Sequence, residues 1–282
     1  MQNETTIQQS ISPAQVTSSQ SPTGRQTVTV IIPTLNVEEI ISKCLNSLCW
    51  ADEVIVVDMF STDRTEEVCR NYPNVRFLQR KDYIYANVNY GIDEARTEWV
   101  IRLDSDEILD VELQQSILQA LTQPNPGNIC YVFPFVQYMF GQPMHHGVGL
   151  PNLCRRRCMF RRGTARYACK LEHEDITFNG GEVILNGFYH HLSNMTAYET
   201  VSKINYYTSK DAERLIDGEL HPPHIGHILY RGMRMFILYY FQWKGYKDGY
   251  LGFFSSLYRG PIYQFLDETK RWEAWRDRKP QP

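Results

Sequence analysis

The sequence lacks the patterns that would place a protein across a membrane, on an export route or on nucleic acid. Its densest apolar run, residues 235–241, is far shorter than the roughly 20 apolar residues that a membrane-spanning helix needs. Residues 1–26 contain no apolar segment of the kind found in signal peptides. The formal net charge is −3, so no overall basic field favours nucleic acid. These absences predict a cytoplasmic protein without a nucleic-acid partner.

The sequence also has no Cys-x-x-Cys pair and no regular cysteine spacing. Two cysteines, Cys44 and Cys69, fall on the apolar faces of predicted helices, where a free cysteine behaves as a small hydrophobic side chain. The odd total and the scatter favour a reducing compartment over a disulfide framework or a zinc site. The seven cysteines are Cys44, Cys49, Cys69, Cys130, Cys154, Cys158 and Cys169.

The composition is that of a folded globular protein, except at the amino terminus. Apolar residues make up 43% and charged residues 22% of the 282-residue chain, which can bury one large core or two small ones. Residues 1–26 are rich in Gln, Ser and Thr. Because such a segment buries too little apolar surface to offset the entropy of ordering, we predict a disordered tail there.

Residues 27–125 alternate between predicted strands and helices. Apolar, β-branched runs predict strands at 28–32, 53–57, 75–78 and 99–103. Helical periodicity predicts helices at 38–49, 86–96 and 111–121, and a further helix is expected to be capped by Ser61 or Thr62. Strands that alternate with helices pair in parallel. The sequence therefore predicts an α/β fold with a doubly wound, mostly parallel sheet.

The rest of the chain changes character twice. Residues 126–197 are aromatic and β-rich with a basic cluster at 155–166, and we interpret them as the acceptor-side half of the same domain. Residues 198–282 predict a helical, amphipathic C-terminal region. Within it, His221, His224 and His227 are three residues apart, but Pro222-Pro223 argues against a helical metal site.

Polar residues stand where three of the predicted strands end. Parallel strands share a carboxyl edge, and open α/β sheets bind ligands there. Paired carboxylates at that edge can hold a hard cation such as Mg²⁺ or Mn²⁺, and the cation can hold a diphosphate. The alternative is that these residues only form polar turns. The residues are Pro33, Thr34, Asn36 and Glu39 after the first strand, Asp58 at the end of the second, and Asp104 and Asp106 after the fourth.

At this point the sequence resembles the family-2 glycosyltransferases, nucleotide-sugar enzymes with an A-type fold. The resemblance covers roughly residues 27–122, and it depends on the order and spacing of four motifs. They are Pro33-Thr34-Leu35-Asn36 with Glu39, then Val57-Asp58 with Ser61-Thr62-Asp63-Arg64-Thr65, then Asn89-Tyr90-Gly91, then Leu103-Asp104-Ser105-Asp106-Glu107.

The resemblance implies a role for each matched residue. Thr34 and Glu39 would contact the uridine of a UDP-sugar donor, and Asp58 would accept a hydrogen bond from the uracil N–H. Asp104 would lie against ribose and metal, while Asp106 would ligate Mg²⁺ or Mn²⁺. Pro33, Asn36 and Asn89 complete the implied donor-binding set.

The sequence departs from the family pattern at two places, of which the second concerns the diphosphate. Met59-Phe60 stands where the family often has a small residue and Gly, and Val88 stands where a basic residue usually precedes Asn89. The diphosphate therefore lacks one positive contact unless Arg102, Lys81 or the basic cluster 155–162 supplies it.

An inverting transferase also needs a general base near the acceptor hydroxyl. Glu172, Glu174 and Asp175 are candidates, and Glu174 fits the His-Glu motif of the branch that builds lipopolysaccharide cores and related surface glycans. A weaker resemblance to that branch continues through His190-His191-Leu192-Ser193, Lys203-Ile204-Asn205-Tyr206-Tyr207 and Gly245-Tyr246-Lys247-Asp248-Gly249. The alternative is that this acidic cluster is merely the solvated face of a strand.

The resemblance implies an inverting, metal-dependent transferase that moves a sugar, glucose being the first choice, from a UDP-sugar to a glycan or lipid-linked acceptor. A nucleotidyltransferase is a second hypothesis, although its usual Gly-rich phosphate loop is missing after the first strand. A third is a non-catalytic protein that binds sugar nucleotides, which the absence of a basic residue at Val88 permits. The oligomeric state is left open.

The C-terminal region carries many aromatic residues among Arg and Lys between residues 228 and 265. This composition is typical of an interfacial helix, so we predict contact with the inner surface of the membrane without crossing it. The alternative is that the apolar face packs on the catalytic domain. Residues 268–272, one residue from the Gln-x-x-Arg-Trp motif of processive synthases, are interpreted as an amphipathic tail.

Overall fold

A computed structural model describes residues 24–123, 127–150, 154–169, 174–192, 196–213 and 225–278 of the chain. Its contacts divide the chain into two units. Unit 1 comprises Met1–Phe135 and Arg155–Leu192, and unit 2 comprises Val136–Cys154 and Ser193–Pro282. The boundaries at 125 and 197 that the sequence suggests stay predictions, but the helical C-terminal region is present, together with residues 136–154.

Unit 1 is built on a large sheet whose first four strands are parallel. Strand order is β3-β2-β1-β4-β8-β6, with β4–β8 and β8–β6 antiparallel and β11 parallel to β6. β5 pairs with β12, and β9 with β10. The strands are β1 Val28–Thr34, β2 Glu53–Asp58, β3 Val75–Gln79, β4 Trp99–Arg102, β5 Glu107–Leu109, β6 Ile129–Met139, β7 Gln142–Met144, β8 Arg155–Arg161, β9 Ala165–Arg166, β10 Thr177–Phe178, β11 Gly181–Ile184 and β12 Tyr189–His191.

The first three helices of unit 1 connect the parallel strands, as the alternation predicts, and the fourth leads from β5 to β6. They are α1 Ile41–Asn46, α2 Thr65–Cys69, α3 Ile84–Glu94 and α4 Val111–Thr122. Both faces of the sheet are covered: Val30 and Ile32 of β1 belong to one apolar cluster, and Ile31 between them belongs to the other. This burial explains why the strand sequences are continuously apolar rather than alternating. The predicted α/β fold with a mostly parallel sheet is confirmed.

Two local predictions in unit 1 are wrong. The helix predicted at 38–49 begins only at Ile41, because the N–H groups of Val37 and Glu38 donate to the side chains of Thr65 (2.9 Å) and Asp63 (3.0 Å). Ser61 and Thr62 do not cap α2, which begins at Thr65. Asp63 instead accepts from the Thr65 N–H at 3.0 Å. Tertiary hydrogen bonds thus displace both helix starts.

The predicted disordered tail lies outside the described residues except for its last three. Arg25 forms a bidentate ion pair with Asp52 at 2.9 and 3.0 Å, and the Gln26 N–H donates to the Leu121 carbonyl at 2.9 Å. Ordered contacts therefore begin before Thr27, where the sequence placed the start of the fold.

Unit 2 is mainly helical. The last residues of β6 pair with β7, and a 3₁₀ turn follows at Gly147–Gly149. Lys270 joins α8 to α5 through Thr208 (2.8 Å) and Ser209 (2.7 Å), and Arg231 of α6 binds the buried Glu268 of α8 at 2.9 Å. The helices are α5 Ala197–Glu213, α6 Ile225–Ile237, α7 Gly249–Leu257 and α8 Tyr263–Arg278, with π-helical turns at Leu238–Gln242 and Tyr258–Ile262 and a 3₁₀ turn at Gly245–Asp248.

Several predictions about composition can be compared with the structure. All seven cysteines are free, and Cys44 and Cys69 are fully buried. Across the described ranges, no helix has both the length and the apolar character needed to cross a bilayer. Of the three spaced histidines, His227 lies exposed on α6, whereas His221 and His224 fall outside the described residues.

Gly91 sets how closely α3 packs on β1. A Cβ added at this position would lie 2.5 Å from Cγ2 of Ile31, which is itself fully buried. We therefore expect Gly91→Ala to lower the free energy of unfolding by about 1–3 kcal/mol through overpacking. Urea denaturation measures the change. Gly181→Ala is the control, because its added Cβ meets Ile129 only at 3.9 Å. Equal stability of the two variants would contradict the close approach of α3 to β1.

Candidate active site

The carboxyl ends of β1, β2 and β4 bring the predicted residues to one edge of the sheet. Thr34 is level with Asp58 in the register of β1 and β2, and Ile31 is level with Arg102 in the register of β1 and β4. Asp104 follows two residues after Arg102. The three polar strand ends of the sequence prediction therefore belong to a single edge of unit 1.

The loops after β1 and β2 are tied together by Asn36. Its N–H donates to Oγ of Ser61 at 2.8 Å, and its Oδ1 accepts from the Thr62 N–H at 2.8 Å. Asn36 has a φ of 51° and Phe60 a φ of 62°, left-handed conformations that Asn tolerates better than Phe. Glu39, the last residue of this motif, is exposed. The first two motifs thus form one hydrogen-bonded rim.

Asp58 is fully buried at the base of that rim. Its carboxylate accepts from the N–H (2.9 Å) and Oγ of Ser61, and at 3.4 Å from Thr34 Oγ1 and Gln79 Nε2. A carboxylate offers about four acceptor positions, so these four donors fill it. A uracil N–H would have to replace one of the two longer bonds, and the predicted contact between Asp58 and uracil stays a prediction.

The two aspartates of the Asp-x-Asp motif have different partners. Asp104 receives hydrogen bonds from two guanidinium groups, Arg102 Nη2 on Oδ1 at 2.7 Å and Arg156 Nη1 on Oδ2 at 3.2 Å. Asp106 Oδ2 instead lies 3.1 Å from Nε2 of His191 on β12. Burial disfavours the charged form of Asp104, but the two arginines outweigh it and lower the pKa of this carboxyl. Asp104 is therefore a carboxylate held between cations.

Beneath Asp104 lies a buried ion pair between Glu107 and Arg156. Glu107 has no exposed surface, and its Oε2 accepts from Arg156 Nη2 and, at 2.8 Å, from the Asp104 N–H. The Arg156 guanidinium also lies 5.2 Å from the ring centroid of Tyr189. Burial opposes the charge of Arg156, but Glu107, Tyr189 and Asp104 outweigh it and raise the pKa of its guanidinium. The pair links β5, β8 and β12 under the loop that carries the Asp-x-Asp motif.

His191 completes the arrangement around Asp106. Its side chain and that of Asp106 are both about one-third exposed, at 31% and 35%. Burial disfavours the imidazolium, but the hydrogen bond to Asp106 and the charges of Asp106, Glu107 and Asp104 outweigh it, so the pKa of His191 is raised. A carboxylate oxygen and an imidazole nitrogen thus stand side by side at the accessible end of the motif, and both are metal-binding groups.

The sequence did not decide which basic residue contacts the diphosphate in place of the one missing at Val88. The structure shows which of the candidate residues lie near the Asp-x-Asp motif. Arg156 and Arg102 reach Asp104, as described above. Arg161 binds Gln26 Oε1 at 3.1 Å, and Arg162 binds the Thr97 carbonyl at 3.0 Å. Lys81 is exposed on the loop after β3. Arg156 and Arg102 are thus members of the predicted set that contact the Asp-x-Asp motif.

Asn89 has a structural partner rather than an open side chain. Its Nδ2 donates to the Tyr167 carbonyl at 2.9 Å and its Oδ1 accepts from the Tyr167 N–H at 3.0 Å, so α3 is fastened to the segment after β9. That segment leads to the predicted base. A direct contact between Asn89 and the donor stays a prediction.

The three base candidates are not equally described. Glu172 lies outside the described residues, as does His173. Glu174 is anchored at both ends, since its Oε2 accepts from the Cys169 N–H at 2.6 Å and its own N–H donates to the Tyr85 hydroxyl at 3.1 Å. Asp175 forms an ion pair with Arg157 at 2.6 Å. The carboxylate of Asp175 is therefore engaged by a guanidinium group.

Two further observations concern a preformed metal site and a surface cavity. Among the described residues, no three His, Cys, Asp or Glu side chains converge as a metal cage. A surface cavity of about 380 Å³ lies elsewhere, between Asp93, Arg162 and Arg166. Because Arg161 is level with Trp99, the first residue of β4, this cavity is at the amino ends of the strands, away from the Asp-x-Asp motif.

Sequence reasoning missed three residues that the structure brings to this edge. His191 was quoted only as part of a resemblance, Arg156 only as one member of a basic cluster, and Glu107 only as the last letter of a motif. Their partners are distant in sequence: His191 is 85 residues from Asp106, and Arg156 is 49 from Glu107. The sequence features that could have indicated these residues were a His and an Arg at the ends of segments with β-type composition.

The sequence of the chain is similar to those of known glycosyltransferases. The model of the family "Glycosyl transferase family 2" matches residues 29–181, just over half of the chain. Over 245 residues the chain is 25% identical to the lipopolysaccharide core biosynthesis glycosyltransferase LpsC of Rhizobium meliloti (strain 1021), covering 84% of this chain and 88% of that protein.

The chain is also similar to a second relative in sequence and to a solved structure in fold. The chain is 26% identical over 200 residues to the uncharacterized glycosyltransferase RP128 of Rickettsia prowazekii (strain Madrid E), covering 67% and 68% of the two chains. The crystal structure of S. aureus TarS 1-349 in complex with UDP-GlcNAc aligns with a TM-score of 0.46 at 15% identity, over 91% of this chain and 93% of that one.

The buried ion pair generates a stability prediction. Arg156→Ala leaves Glu107 buried without its cation, so we expect the free energy of unfolding to fall by about 3–5 kcal/mol. Arg157→Ala is the matched control on the next residue of β8. Its partners Asp175 and Glu182 are exposed, so we expect a loss of about 0–1 kcal/mol. Urea denaturation of both variants measures the difference, and losses of equal size would refute the special role of Arg156.

Proposed function

The chain belongs to glycosyl transferase family 2, and we propose that it is an inverting enzyme that moves a sugar from a UDP-sugar to a hydroxyl group. The proposed acceptor is a glycan or glycolipid of cell-envelope polysaccharide synthesis, in keeping with the name of the relative LpsC. Glucose is the proposed sugar, because the downstream motifs resemble the branch that builds lipopolysaccharide cores. The proposed place of action is the cytoplasm, at the inner face of the membrane.

The main support for this proposal is that groups suited to bind a cation and a group suited to bind an anion lie next to each other at the Asp-x-Asp motif. Asp106 and His191 offer a cation two donor atoms 3.1 Å apart. Arg156, whose side chain is 22% exposed, offers positive charge to a diphosphate. A nucleoside diphosphate bound through a cation needs both subsites, because the cation binds oxygen and nitrogen ligands while the remaining phosphate charge needs arginine.

The donor set fits Mg²⁺ or Mn²⁺. Both are bound by carboxylate oxygen, which Asp106 supplies, and His191 adds an imidazole nitrogen of the kind that is common in sites of divalent transition metals. Mg²⁺ sites of enzymes that act on phosphates often have only one or two protein ligands, the rest being water and substrate oxygens, so a pair of side chains suffices. Asp106 and His191 would hold the ion, and Asp104, already bound to Arg102 and Arg156, would hold the ribose. When bound, the ion neutralises charge on the leaving diphosphate.

Glu174 is our choice of general base. It would accept the proton of the acceptor hydroxyl as that oxygen attacks the anomeric carbon, and the bonding electrons of the sugar–phosphate bond leave with UDP. The anomeric configuration inverts in this single displacement. The bonds from Glu174 to Cys169 and Tyr85 support the choice because they fix its backbone and one carboxylate oxygen. Asp175 is the less available candidate, since its carboxylate is already engaged by Arg157 at 2.6 Å.

The two other hypotheses are weaker. Membership of a glycosyltransferase family argues against a nucleotidyltransferase, as does the rim after β1, which Asn36 closes by side-chain bonds where such enzymes have a Gly-rich loop. A non-catalytic role as a sugar-nucleotide binder predicts binding without release of UDP. A panel of sugar nucleotides, assayed for UDP release with and without an oligosaccharide core acceptor, therefore tests the proposal.

We expect the wild-type chain to release UDP from at least one donor of the panel, and only when Mg²⁺ or Mn²⁺ is present. Asp106→Ala removes one of the two proposed ligands and should abolish both this activity and the binding of Mn²⁺ measured calorimetrically with UDP present. Asp93→Ala is the control, since Asp93 binds Arg166 at the opposite end of the strands. Full activity of Asp106→Ala, or of the wild type in excess chelator, would exclude the metal assignment.

Glu174→Gln keeps the bond to the Cys169 N–H, because an amide oxygen accepts as a carboxylate does, but it cannot take up a proton. We expect transfer to slow by about 10²-fold or more with UDP binding unchanged. Asp175→Asn serves as the comparison and should retain most of the activity. If Asp175→Asn or Glu172→Gln shows the loss and Glu174→Gln does not, then the base is not Glu174.

A further inference from the structure

One side of α6 in unit 2 exposes apolar side chains at every fourth position. Ile225, Leu229, Met233 and Ile237 are between 42% and 75% exposed, and Phe241 continues the series at 56%. Residues four apart lie on the same face of a helix, so these side chains form one stripe. Within unit 2, the other described segments leave the stripe exposed. The alternative that this face packs on the catalytic domain is addressed by the vesicle test below.

The stripe is continuous with aromatic residues of the neighbouring segments of unit 2. Phe236 lies 6.4 Å from Phe241 and 5.8 Å from Phe253, measured between ring centroids, and Phe253 lies 5.9 Å from Phe254. Phe253 and Phe254 are themselves 38% and 40% exposed. We call Leu229, Met233, Ile237, Phe241, Phe253 and Phe254 the apolar face. Contiguous exposed apolar surface of this kind marks an interaction site in a folded protein.

The charge around the apolar face is of one sign, although the whole chain is slightly acidic. Between residues 225 and 266 the sequence has one acidic residue, Asp248. Its side chain is 7% exposed and binds His146 Nδ1 at 2.8 Å, so it contributes little to the surface. The basic residues of this stretch are Arg231, which binds Glu268, and Arg234, Lys244, Lys247 and Arg259, which are exposed and have no ion pair among the described residues.

The exposed apolar face and the basic residues around it together indicate what kind of surface the chain binds. Apolar and aromatic side chains beside unpaired cations suit a surface that is apolar inside and anionic at its rim, which describes a bilayer with anionic headgroups. A second copy of the chain is a poor partner, because joining two apolar faces would bring Arg234, Lys244 and Lys247 of both copies together. Exposed Tyr246 and Tyr250 add rings with a polar end, which favour the headgroup level.

We propose that the apolar face docks on an anionic phospholipid surface. Leu229, Met233, Ile237 and Phe241 enter the boundary between headgroups and acyl chains, while Arg234 and Lys247 bind lipid phosphates. Docking would bring the enzyme to the membrane in which a lipid-linked acceptor lies. In this respect the proposal rests on the proposed function. Docking itself needs neither donor nor acceptor, so it can be measured separately.

The test is co-sedimentation of the full chain with vesicles of phosphatidylcholine alone or mixed with phosphatidylglycerol. We expect binding to the mixed vesicles, weak binding to the neutral ones, and weakening by salt. Replacing Leu229, Met233 and Phe241 together by Ser should abolish binding. Arg234→Gln and Lys247→Gln should each weaken binding roughly fivefold, since a basic residue near an anionic leaflet contributes about 1 kcal/mol.

The matched controls lie on α5, also in unit 2. Tyr198→Ser with Val201→Ser removes exposed apolar surface, and Lys203→Gln removes an exposed charge, away from the apolar face. These variants should bind like the wild type. Failure of the wild type to sediment with anionic vesicles at low salt would overturn the proposal, as would undiminished binding of the triple Ser variant. A wild-type dimer that the triple variant converts to monomer would also overturn it, by assigning the face to self-association.

The outcome for docking is independent of the outcome for catalysis. UDP release from the panel of sugar nucleotides is assayed without vesicles. Loss of UDP release with docking intact would contradict only the proposed function, and loss of docking with UDP release intact would contradict only the proposed membrane surface.

Discussion

The buried ion pair between Glu107 and Arg156 is the interaction on which the arrangement of the site depends. A carboxylate with no exposed surface is costly unless a cation and further donors compensate it, and here Arg156 and the Asp104 N–H both bind Oε2 of Glu107, while its Oε1 has no hydrogen-bond partner among the described residues. The donors come from β8 and from the loop after β4, so the Asp-x-Asp loop is fixed to β5, which follows it directly, and to β8, from which Arg156 reaches Glu107 across 49 residues of sequence. The guanidinium that neutralises Glu107 also reaches Asp104 and lies over Tyr189, and the position of each group therefore constrains the others.

This constraint gives the two aspartates of the motif different chemical characters. Asp104 lies between the cations of Arg102 and Arg156, so a divalent cation placed against it would be repelled by both guanidinium groups. Asp106 is two residues further on, and its nearest described partner is the titratable imidazole of His191, which can lose its proton when a metal binds. The same loop thus carries one aspartate held between two guanidinium groups and one that faces an imidazole, and our proposed function assigns the cation to the second.

The sequence predicted those parts of unit 1 that depend on local pattern. The four parallel strands follow from short β-branched runs separated by helical periodicity, and the shared edge follows from parallel pairing. The later start of α1 and the true beginning of α2 depend on Asp63 and Thr65, which accept from residues about 25 positions earlier. Likewise, no local pattern distinguishes Arg156 from Arg155 or Arg157, or assigns His191 to Asp106. Such contacts are decided by the antiparallel second half of the sheet, whose register a single sequence does not encode locally.

Several residues of the recognisable motifs have their polar atoms engaged within the protein. Asn36 ties two loops together, Asp58 fills its acceptor positions with Ser61, Thr34 and Gln79, and Asn89 pairs with the backbone of Tyr167. Gly91 is explained by the close approach of α3 to β1. These residues build the rim and floor of the crevice, which is why their order and spacing identify a family. The chemistry that we propose depends on side chains that the motifs name only in part, namely Asp106 with His191 and Arg156 with Asp104. Residues that identify the family can therefore differ from those to which we assign the binding of the diphosphate and its cation, and in this chain the second group comes largely from β8 and β12.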